Sequence, residues 1–172
     1  MTSCASVQTM RKREARAVTN EGTKPPQMVL VSACLLGVKC RYDGACKPND
    51  HVLNYKGRFV YIPFCPECYG GLPTPRAAAE IQPDGRVVNN LGTDVTEAYQ
   101  KGAAQAVTLC RDFKINYAIL KSRSPACGPD SSYDGTFTRT LVARPGLCAQ
   151  ALMDHGVTVF SEESFDPSLL EA

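Results

Sequence analysis

Val29-Leu-Val-Ser-Ala-Cys-Leu-Leu-Gly37 decides the fold, because in it a short apolar run leads directly into a cysteine and a glycine turn. The apolar part predicts a buried strand over residues 28–33. The same pattern returns in Phe59-Val-Tyr-Ile-Pro-Phe64, which is followed by Cys65, and in Tyr117-Ala-Ile-Leu120, which precedes the loop that contains Cys127. Short apolar runs bounded by turn residues are typical of a parallel sheet that is covered on both faces.

The three cysteines therefore follow three predicted strands. Ligands of open parallel sheets bind outside the carboxyl ends of the strands. We therefore expect Cys34, Cys65 and Cys127 to converge at one edge of the sheet. This convergence is the main structural prediction of the sequence.

The remaining chain alternates helix and strand patterns. Asp94 and Glu97 have the spacing of a capping box, and apolar residues recur at helical spacing from there to Phe113. A second helix is predicted over residues 147–155 and a last strand over 157–160, and residues 86–88 fit an edge strand or half of a hairpin. This alternation predicts a single α/β layered domain with a mostly parallel, Rossmann-like sheet.

Composition gives the domain limits and excludes several classes of protein. With 172 residues and a net charge of +2, the chain fits one domain without a dedicated nucleic-acid or membrane surface. We expect a flexible N-terminal tail over residues 1–26, the folded domain over 27–164 and a C-terminal tail over 165–172. No stretch has the length or character of a signal peptide or a membrane span, so we expect a cytoplasmic protein.

Nine cysteines are many for such a protein, and they lie at positions 4, 34, 40, 46, 65, 68, 110, 127 and 148. Cys65-Pro-Glu-Cys68 has the spacing of a zinc pair or a redox dithiol. A structural zinc site requires a second such pair, and we expect no helix after Cys68 of the kind that activates a redox dithiol, because Gly and Pro follow it. An iron–sulfur cluster fits scattered thiolates better. Ordinary buried cysteines remain the alternative.

Six motifs in this order resemble the TudS family of thiouracil desulfurases, over about residues 28–163. They are Ser32-Ala-Cys-Leu-Leu-Gly37, Cys40-Arg-Tyr-Asp-Gly44, Cys65-Pro-Glu67, Gly70-Gly-Leu-Pro-Thr-Pro-Arg76, Lys121-Ser-Arg-Ser-Pro-Ala-Cys-Gly128 and Tyr133-Asp-Gly-Thr-Phe-Thr138. The resemblance implies a [4Fe–4S] cluster held by Cys34, Cys65 and Cys127, with Cys40 as the reserve ligand. Cys68 departs from the pattern, since the family usually has an apolar residue there.

The resemblance also implies a reaction, the removal of sulfur from a thiolated pyrimidine without net redox chemistry and with release of hydrosulfide. We assign Glu67 as general base and later acid, because it is the carboxylate closest in sequence to a proposed ligand. Ser122 is assigned as a proton relay or a hydrogen-bond donor to the ring, with Ser124 as second choice. Their alternatives are an exposed turn glutamate and serines that cap turns.

The expected partner is a small thiolated pyrimidine: thiouracil, thiouridine or its monophosphate. Tyr42 is a candidate for stacking on the ring, and Arg41, Arg76 and Lys121 are candidates for binding a phosphate. We expect no membrane partner and no nucleic-acid partner for this domain alone. The rival interpretations are an iron–sulfur redox or sensor protein without desulfurase activity and a structural zinc protein.

Overall fold

The computed structural model describes residues 26–170. The predicted N-terminal tail, apart from residue 26, and the last two residues of the chain lie outside them. The strands are β1 Met28–Ser32, β2 Val60–Phe64, β3 Ala79–Ile81, β4 Val87–Asn89, β5 Tyr117–Leu120, β6 Ser132–Tyr133, β7 Leu141–Val142 and β8 Thr158–Ser161. The α-helices are α1 Asp50–Leu53, α2 Pro66–Tyr69, α3 Thr96–Phe113 and α4 Leu147–Asp154.

The central sheet has four strands in the order β2-β1-β5-β8, and all neighbouring strands run parallel. The first apolar run occupies a central position, where Val29 pairs with Tyr61 on one side and with Tyr117 on the other. Because this strand has neighbours on both sides and is buried on both faces, it reads as a continuous apolar run. The predicted fold class, a mostly parallel α/β sheet, is confirmed.

Alternate residues of β1 pack into different cores. Leu30 belongs to the cluster formed with α3 and α4, which also contains Ala103, Ala106 and Leu152. Val29 and Val31 belong to a second cluster on the other face, together with Leu35 and Val52. The period of two along an extended strand explains this division. The sheet is therefore covered on both sides, as its sequence indicates.

Helix α3 packs against α2 through two close backbone approaches. A Cβ atom at Gly102 would lie 1.9 Å from the carbonyl oxygen of Pro66, and one at Gly70 would lie 2.0 Å from that of Ala98. Only glycine fits at such separations. These contacts hold the segment that follows β2 firmly against the longest helix of the described chain.

One local prediction, the capping box, is wrong. No capping box forms at the start of α3: Val95 is the N-cap, and Asp94 accepts from the main-chain nitrogen of Thr96 at 2.9 Å, while Glu97 is exposed. Residues 66–69 form the short helix α2 with Cys65 as its N-cap, and the Gly- and Pro-rich segment from Gly70 onward is not helical, as predicted. These turn residues end the helix after one turn.

The smaller elements frame the sheet. β3 and β4 form an antiparallel hairpin, which confirms the expectation for residues 86–88, and β6 pairs with β7 in a second antiparallel ribbon that the sequence did not predict. Phe165 and Leu170 are 4% and 3% exposed, so packed structure continues beyond residue 164 to the end of the described chain. No helix between residues 26 and 170 is both long and apolar enough to span a bilayer.

Candidate active site

The three predicted cysteines line one cavity of about 430 Å³ at the carboxyl edge of the sheet. Cys34 follows β1 inside a 3₁₀ turn, Ala33–Leu36, and Cys65 follows β2 directly. Cys127 lies in the loop after β5. Because β2, β1 and β5 are adjacent in the sheet, their ends bring the three thiols to one place.

These thiols lie in a largely dry environment. Cys34 is 8% exposed and Cys127 is 6% exposed. Burial raises the pKa of Cys127 well above its ordinary value, and contact with Cys40, followed by burial, raises the pKa of Cys65. Buried thiols of this kind keep their protons until a bound metal centre supplies compensating positive charge.

Two further cysteines approach the same cavity. The Cys40 thiol contacts the thiols of Cys34 and Cys65. The contact with Cys34 and burial raise the pKa of Cys40 to about 12, because they outweigh the contact with Cys65, which acts to lower it. The thiols of Cys65 and Cys68 both face the carbonyl oxygen of Cys40, at 3.7 Å and 3.9 Å. The reserve ligand is thus a direct neighbour of two of the predicted ones.

The donor set of the cavity consists of cysteine thiols from separate parts of the chain. Within residues 26–170, no three Cys, His, Asp or Glu side chains are close enough to hold one metal ion together. An iron–sulfur cluster distributes its thiolates over several irons, so its ligands need not meet at one point. Thiolate is the donor that such clusters select, and the cavity wall provides it from separate strands. The residues present therefore fit a cluster.

Glu67 is held by an arginine and a tyrosine. Its Oε1 atom accepts from Nε of Arg76 at 2.9 Å and from the hydroxyl of Tyr99 at 2.7 Å. Its Oε2 atom pairs with Nη2 of Arg76 at 2.7 Å. The Arg76 side chain is only 5% exposed and also donates to the carbonyl oxygen of Cys40. The sequence made Arg76 a candidate for binding phosphate, but in the structure its guanidinium group pairs with Glu67.

The hydrogen bonds of Glu67 leave one oxygen atom with acceptor capacity. A carboxylate offers about four acceptor positions, two on each oxygen. Oε1 uses both, whereas Oε2 accepts from Arg76 alone among the residues that the structure describes. Since Glu67 and Tyr99 both line the cavity, Oε2 is the atom that can accept a further hydrogen bond there.

Ser122 lies in a second buried network, with Lys121 and Glu162. Glu162 accepts from the Ser122 main-chain nitrogen at 2.7 Å and from its hydroxyl at 3.0 Å. The Lys121 ammonium donates to the same hydroxyl at 2.8 Å and pairs with Glu162. Ser124 instead accepts from the main-chain nitrogens of Ala126 and Cys127, so it caps the turn that presents this cysteine.

The outer rim of the cavity carries an aromatic ring and exposed cations. Phe137 and Arg139 line it, and both have left-handed backbone conformations, with φ of 59° and 65°. The buried carboxylate of Glu80 fixes this loop by accepting from the main-chain nitrogens of Gly135 and Phe137, at 3.0 Å each. Sequence reasoning missed these residues, although the turn motif at 133–138 was a signal for a functional loop.

The candidates for substrate recognition are placed differently. Tyr42 lines the cavity and is 45% exposed, and the Arg41 guanidinium lies over its ring at 5.6 Å. Arg41 is itself paired with Asp43 at 2.9 Å. Neither Lys47 nor Arg139, which also line the cavity, forms an ion pair with any residue in the described part of the chain.

Comparison with known proteins places the chain among relatives of one family. A family model described as 2-thiouracil desulfurase matches residues 29–164. The uncharacterized protein YbbK of Bacillus subtilis (strain 168) is 34% identical over 151 residues, which cover 83% of this chain and all of that protein. A solved structure named [4Fe-4S]-dependent thiouracil desulfidase TudS is 42% identical, covers 80% of this chain and 91% of its own, and superposes with a TM-score of 0.73.

Proposed function

This chain belongs to the 2-thiouracil desulfurase family, and from that premise we propose that it is a [4Fe–4S]-dependent enzyme that replaces the sulfur of a thiolated pyrimidine with oxygen. The observation that carries the proposal is the meeting of Cys34, Cys65 and Cys127 in one cavity at the ends of three adjacent parallel strands. The name of the similar solved structure supports the same cofactor and reaction.

Cys34, Cys65 and Cys127 are the proposed cluster ligands. Each follows a different strand of the rigid sheet, whereas Cys40 lies in the connection between β1 and α1. The contact of the Cys40 thiol with Cys34 fits a residue that supports a ligand by hydrogen bonding. When bound by three thiolates, a [4Fe–4S] cluster supplies one iron without a protein ligand, a soft Lewis acid that favours a thiocarbonyl sulfur.

We propose that water attacks the thiocarbonyl carbon, so that the reaction is a hydrolysis, and that Glu67 accepts the proton of this water. Its Oε2 atom retains acceptor capacity, and Arg76 and Tyr99 hold the carboxylate in one orientation. A fixed acceptor aligns the water before reaction and so lowers the entropic part of the barrier. Glu67 then returns this proton to the sulfur as the carbon–sulfur bond breaks, acting as a general acid. The sulfur leaves as hydrosulfide, the carbon keeps the water oxygen as C=O, and the second water proton passes to solvent.

The proposed substrate includes a phosphate-bearing form, the thiouridine monophosphate, in addition to the free base. Lys47 and Arg139 at the mouth of the cavity support this, because they are exposed cations without an ion-pair partner among residues 26–170. Arg41 and Lys121 are each paired with an acidic residue, and Arg76 is buried. The two rim cations are therefore better placed for a phosphate than the three that the sequence suggested.

Arg139→Gln is expected to raise the KM for thiouridine monophosphate about tenfold, since a hydrogen bond to a charged group contributes about 1.5 kcal/mol and about 1.4 kcal/mol corresponds to a factor of ten. The KM for free thiouracil should stay within a factor of about two. Arg86→Gln, at an exposed arginine remote from the cavity, is the matched control. Steady-state kinetics with both substrates measure the effect, and equal losses for base and nucleotide would remove Arg139 from phosphate recognition.

The main test is turnover by protein reconstituted anaerobically with iron and sulfide. Thiouracil, thiouridine and its monophosphate are supplied in turn, and hydrosulfide and the oxygenated pyrimidine are quantified. Oxygen from ¹⁸O-labelled water should appear in the pyrimidine if the reaction is hydrolytic. An intact iron–sulfur chromophore without any hydrosulfide would favour a redox or sensor protein, and bound zinc without that chromophore would favour a structural zinc protein.

A further inference from the structure

Glu162 is a buried carboxylate at the end of β8 that the reaction described so far does not use. Its side chain is 6% exposed, and that of its partner Lys121 is 15% exposed. Glu162 also donates from its main-chain nitrogen to the carbonyl oxygen of Leu120, which joins the ends of β5 and β8. Burying an ion pair is costly in free energy. A purely structural role would require only the contact between strands, not the contacts with Ser122.

The hydrogen bonds of Ser122 have a defined direction. An ammonium can only donate, so the Ser122 Oγ atom must accept from Lys121. The hydroxyl has one proton, and Glu162 Oε1 is its nearest acceptor at 3.0 Å, compared with 3.3 Å for the exposed Glu163. One lone pair of Oγ then remains without a partner in the described structure. Toward the cavity, the Ser122 hydroxyl can therefore accept a hydrogen bond, because its single proton is directed at Glu162.

We propose that Glu162 is a positioning residue for the desulfuration reaction, one that fixes the Ser122 hydroxyl as an acceptor facing the reacting groups. Its carboxylate accepts hydrogen bonds from both the main-chain nitrogen and the hydroxyl of Ser122. These two bonds fix the position of the hydroxyl and the direction of its O–H bond. The role resembles that of the anion which orients the base in a catalytic triad. The inference rests on the proposed function.

Lys121 keeps Glu162 suited to this role. Burial acts to raise the pKa of Glu162, but the hydrogen bonds from Lys121 and from the Ser122 nitrogen outweigh it and lower the pKa below its ordinary value. The carboxylate thus stays ionised and stays an acceptor. In the other protonation state it would donate to Ser122 and reverse the direction of the hydroxyl.

Glu162→Gln tests the proposal, because glutamine has the same shape but can present an NH₂ group to the hydroxyl. We expect kcat to fall about 100-fold, the effect of misplacing a reacting group by about 1 Å. The KM and the cluster absorbance should stay close to wild type, whereas the melting temperature should fall, because the buried Lys121 ammonium loses its carboxylate partner. Glu97→Gln, the same change at an exposed carboxylate of α3, should alter none of these quantities.

A double-mutant cycle separates positioning from structure. If Glu162 acts through Ser122, then adding Glu162→Gln to Ser122→Ala should change kcat by less than about twofold, whereas a structural role gives additive losses. Wild-type kcat in Glu162→Gln, a greater loss in Glu163→Gln, or loss of kcat in proportion to lost cluster would each overturn the proposal. An inactive wild-type enzyme would overturn the proposed function instead.

A second variant covers the case in which Glu162→Gln does not fold. Lys121→Met combined with Glu162→Gln removes both charges, so no uncompensated ammonium stays buried, and such neutral replacements of buried pairs are often tolerated. This double variant should fold, bind the cluster and remain slow. A folded, cluster-loaded double variant with wild-type kcat would equally overturn the proposal.

Discussion

Replacing Glu67 with alanine should lower the free energy of unfolding of the protein, in addition to stopping turnover. The reason is Arg76, whose side chain is 5% exposed. Within residues 26–170, Glu67 is the only carboxylate that pairs with its guanidinium group. Alanine removes that carboxylate and also the acceptor of the Tyr99 hydroxyl, a side chain that is 2% exposed. Two buried donors then lose a partner in a single substitution.

The magnitude follows from the geometry of the pair. Removing one partner of a buried ion pair costs 3–5 kcal/mol, because the other charge stays buried without compensation. Arg76 retains neutral acceptors, the carbonyl oxygens of Cys40 and Pro73 and the hydroxyl of Thr74, so we expect the lower end, about 3 kcal/mol. For a chain of this length, about 3 kcal/mol corresponds to a decrease in melting temperature of roughly 6–12 °C.

Thermal unfolding of the cluster-free protein measures this loss without interference from the cofactor. Glu97→Ala, which removes an exposed carboxylate from α3, is the control and should shift the melting temperature by no more than about 2 °C. Glu67→Gln retains an acceptor for Arg76 and should be intermediate in stability, yet as inactive as Glu67→Ala. A Glu67→Ala protein as stable as the control would refute the buried ion pair.

The remaining predictions concern the cluster and the packing that presents it. Cys34→Ala, Cys65→Ala and Cys127→Ala should each prevent stable cluster binding, measured as iron content and visible absorbance after anaerobic reconstitution, while Cys46→Ala, a change outside the cavity, should not. Gly102→Ala should destabilise the protein by about 1–3 kcal/mol and lower cluster content, because its Cβ atom would push the Pro66 carbonyl group, and with it Cys65, away from α3. Chemical denaturation and iron analysis of Gly102→Ala test this, and wild-type values for both would show that α2 does not rest on this contact.

The sheet and its three cysteines could be predicted because their signals are local. Each apolar run is followed by its own cysteine, directly or after a short loop, and parallel strands necessarily bring their carboxyl ends to one edge. The observed strand Tyr117–Leu120 has the predicted bounds, and the strand Met28–Ser32 ends one residue before its predicted end. Short-range patterns were therefore sufficient for the fold and for the candidate ligands.

The ion pairs of the site could not be predicted because no local pattern carries them. Lys121 directly follows β5 and Glu162 directly follows β8, and the pairing of these two strands brings them together. Arg76 lies in a loop rich in Gly and Pro and was a candidate for binding phosphate. Its observed partner Glu67 lies in α2 and also accepts from Tyr99 of α3, a contact between separate elements. Such side chains are placed by tertiary contacts, so their roles emerge only from the fold.

The two buried ion pairs and the two cations at the mouth of the cavity have different electrostatic roles. Arg76 with Glu67 and Lys121 with Glu162 are each neutral as a pair, so they fix the orientation of polar atoms without adding net charge beside the thiols. Lys47 and Arg139 are exposed at the mouth, and a net positive rim attracts an anionic substrate from solution. Since exposed charges are screened by salt and buried pairs much less so, salt should weaken nucleotide capture more than the chemical step. A KM for thiouridine monophosphate that rises with ionic strength while kcat stays constant follows directly from this division.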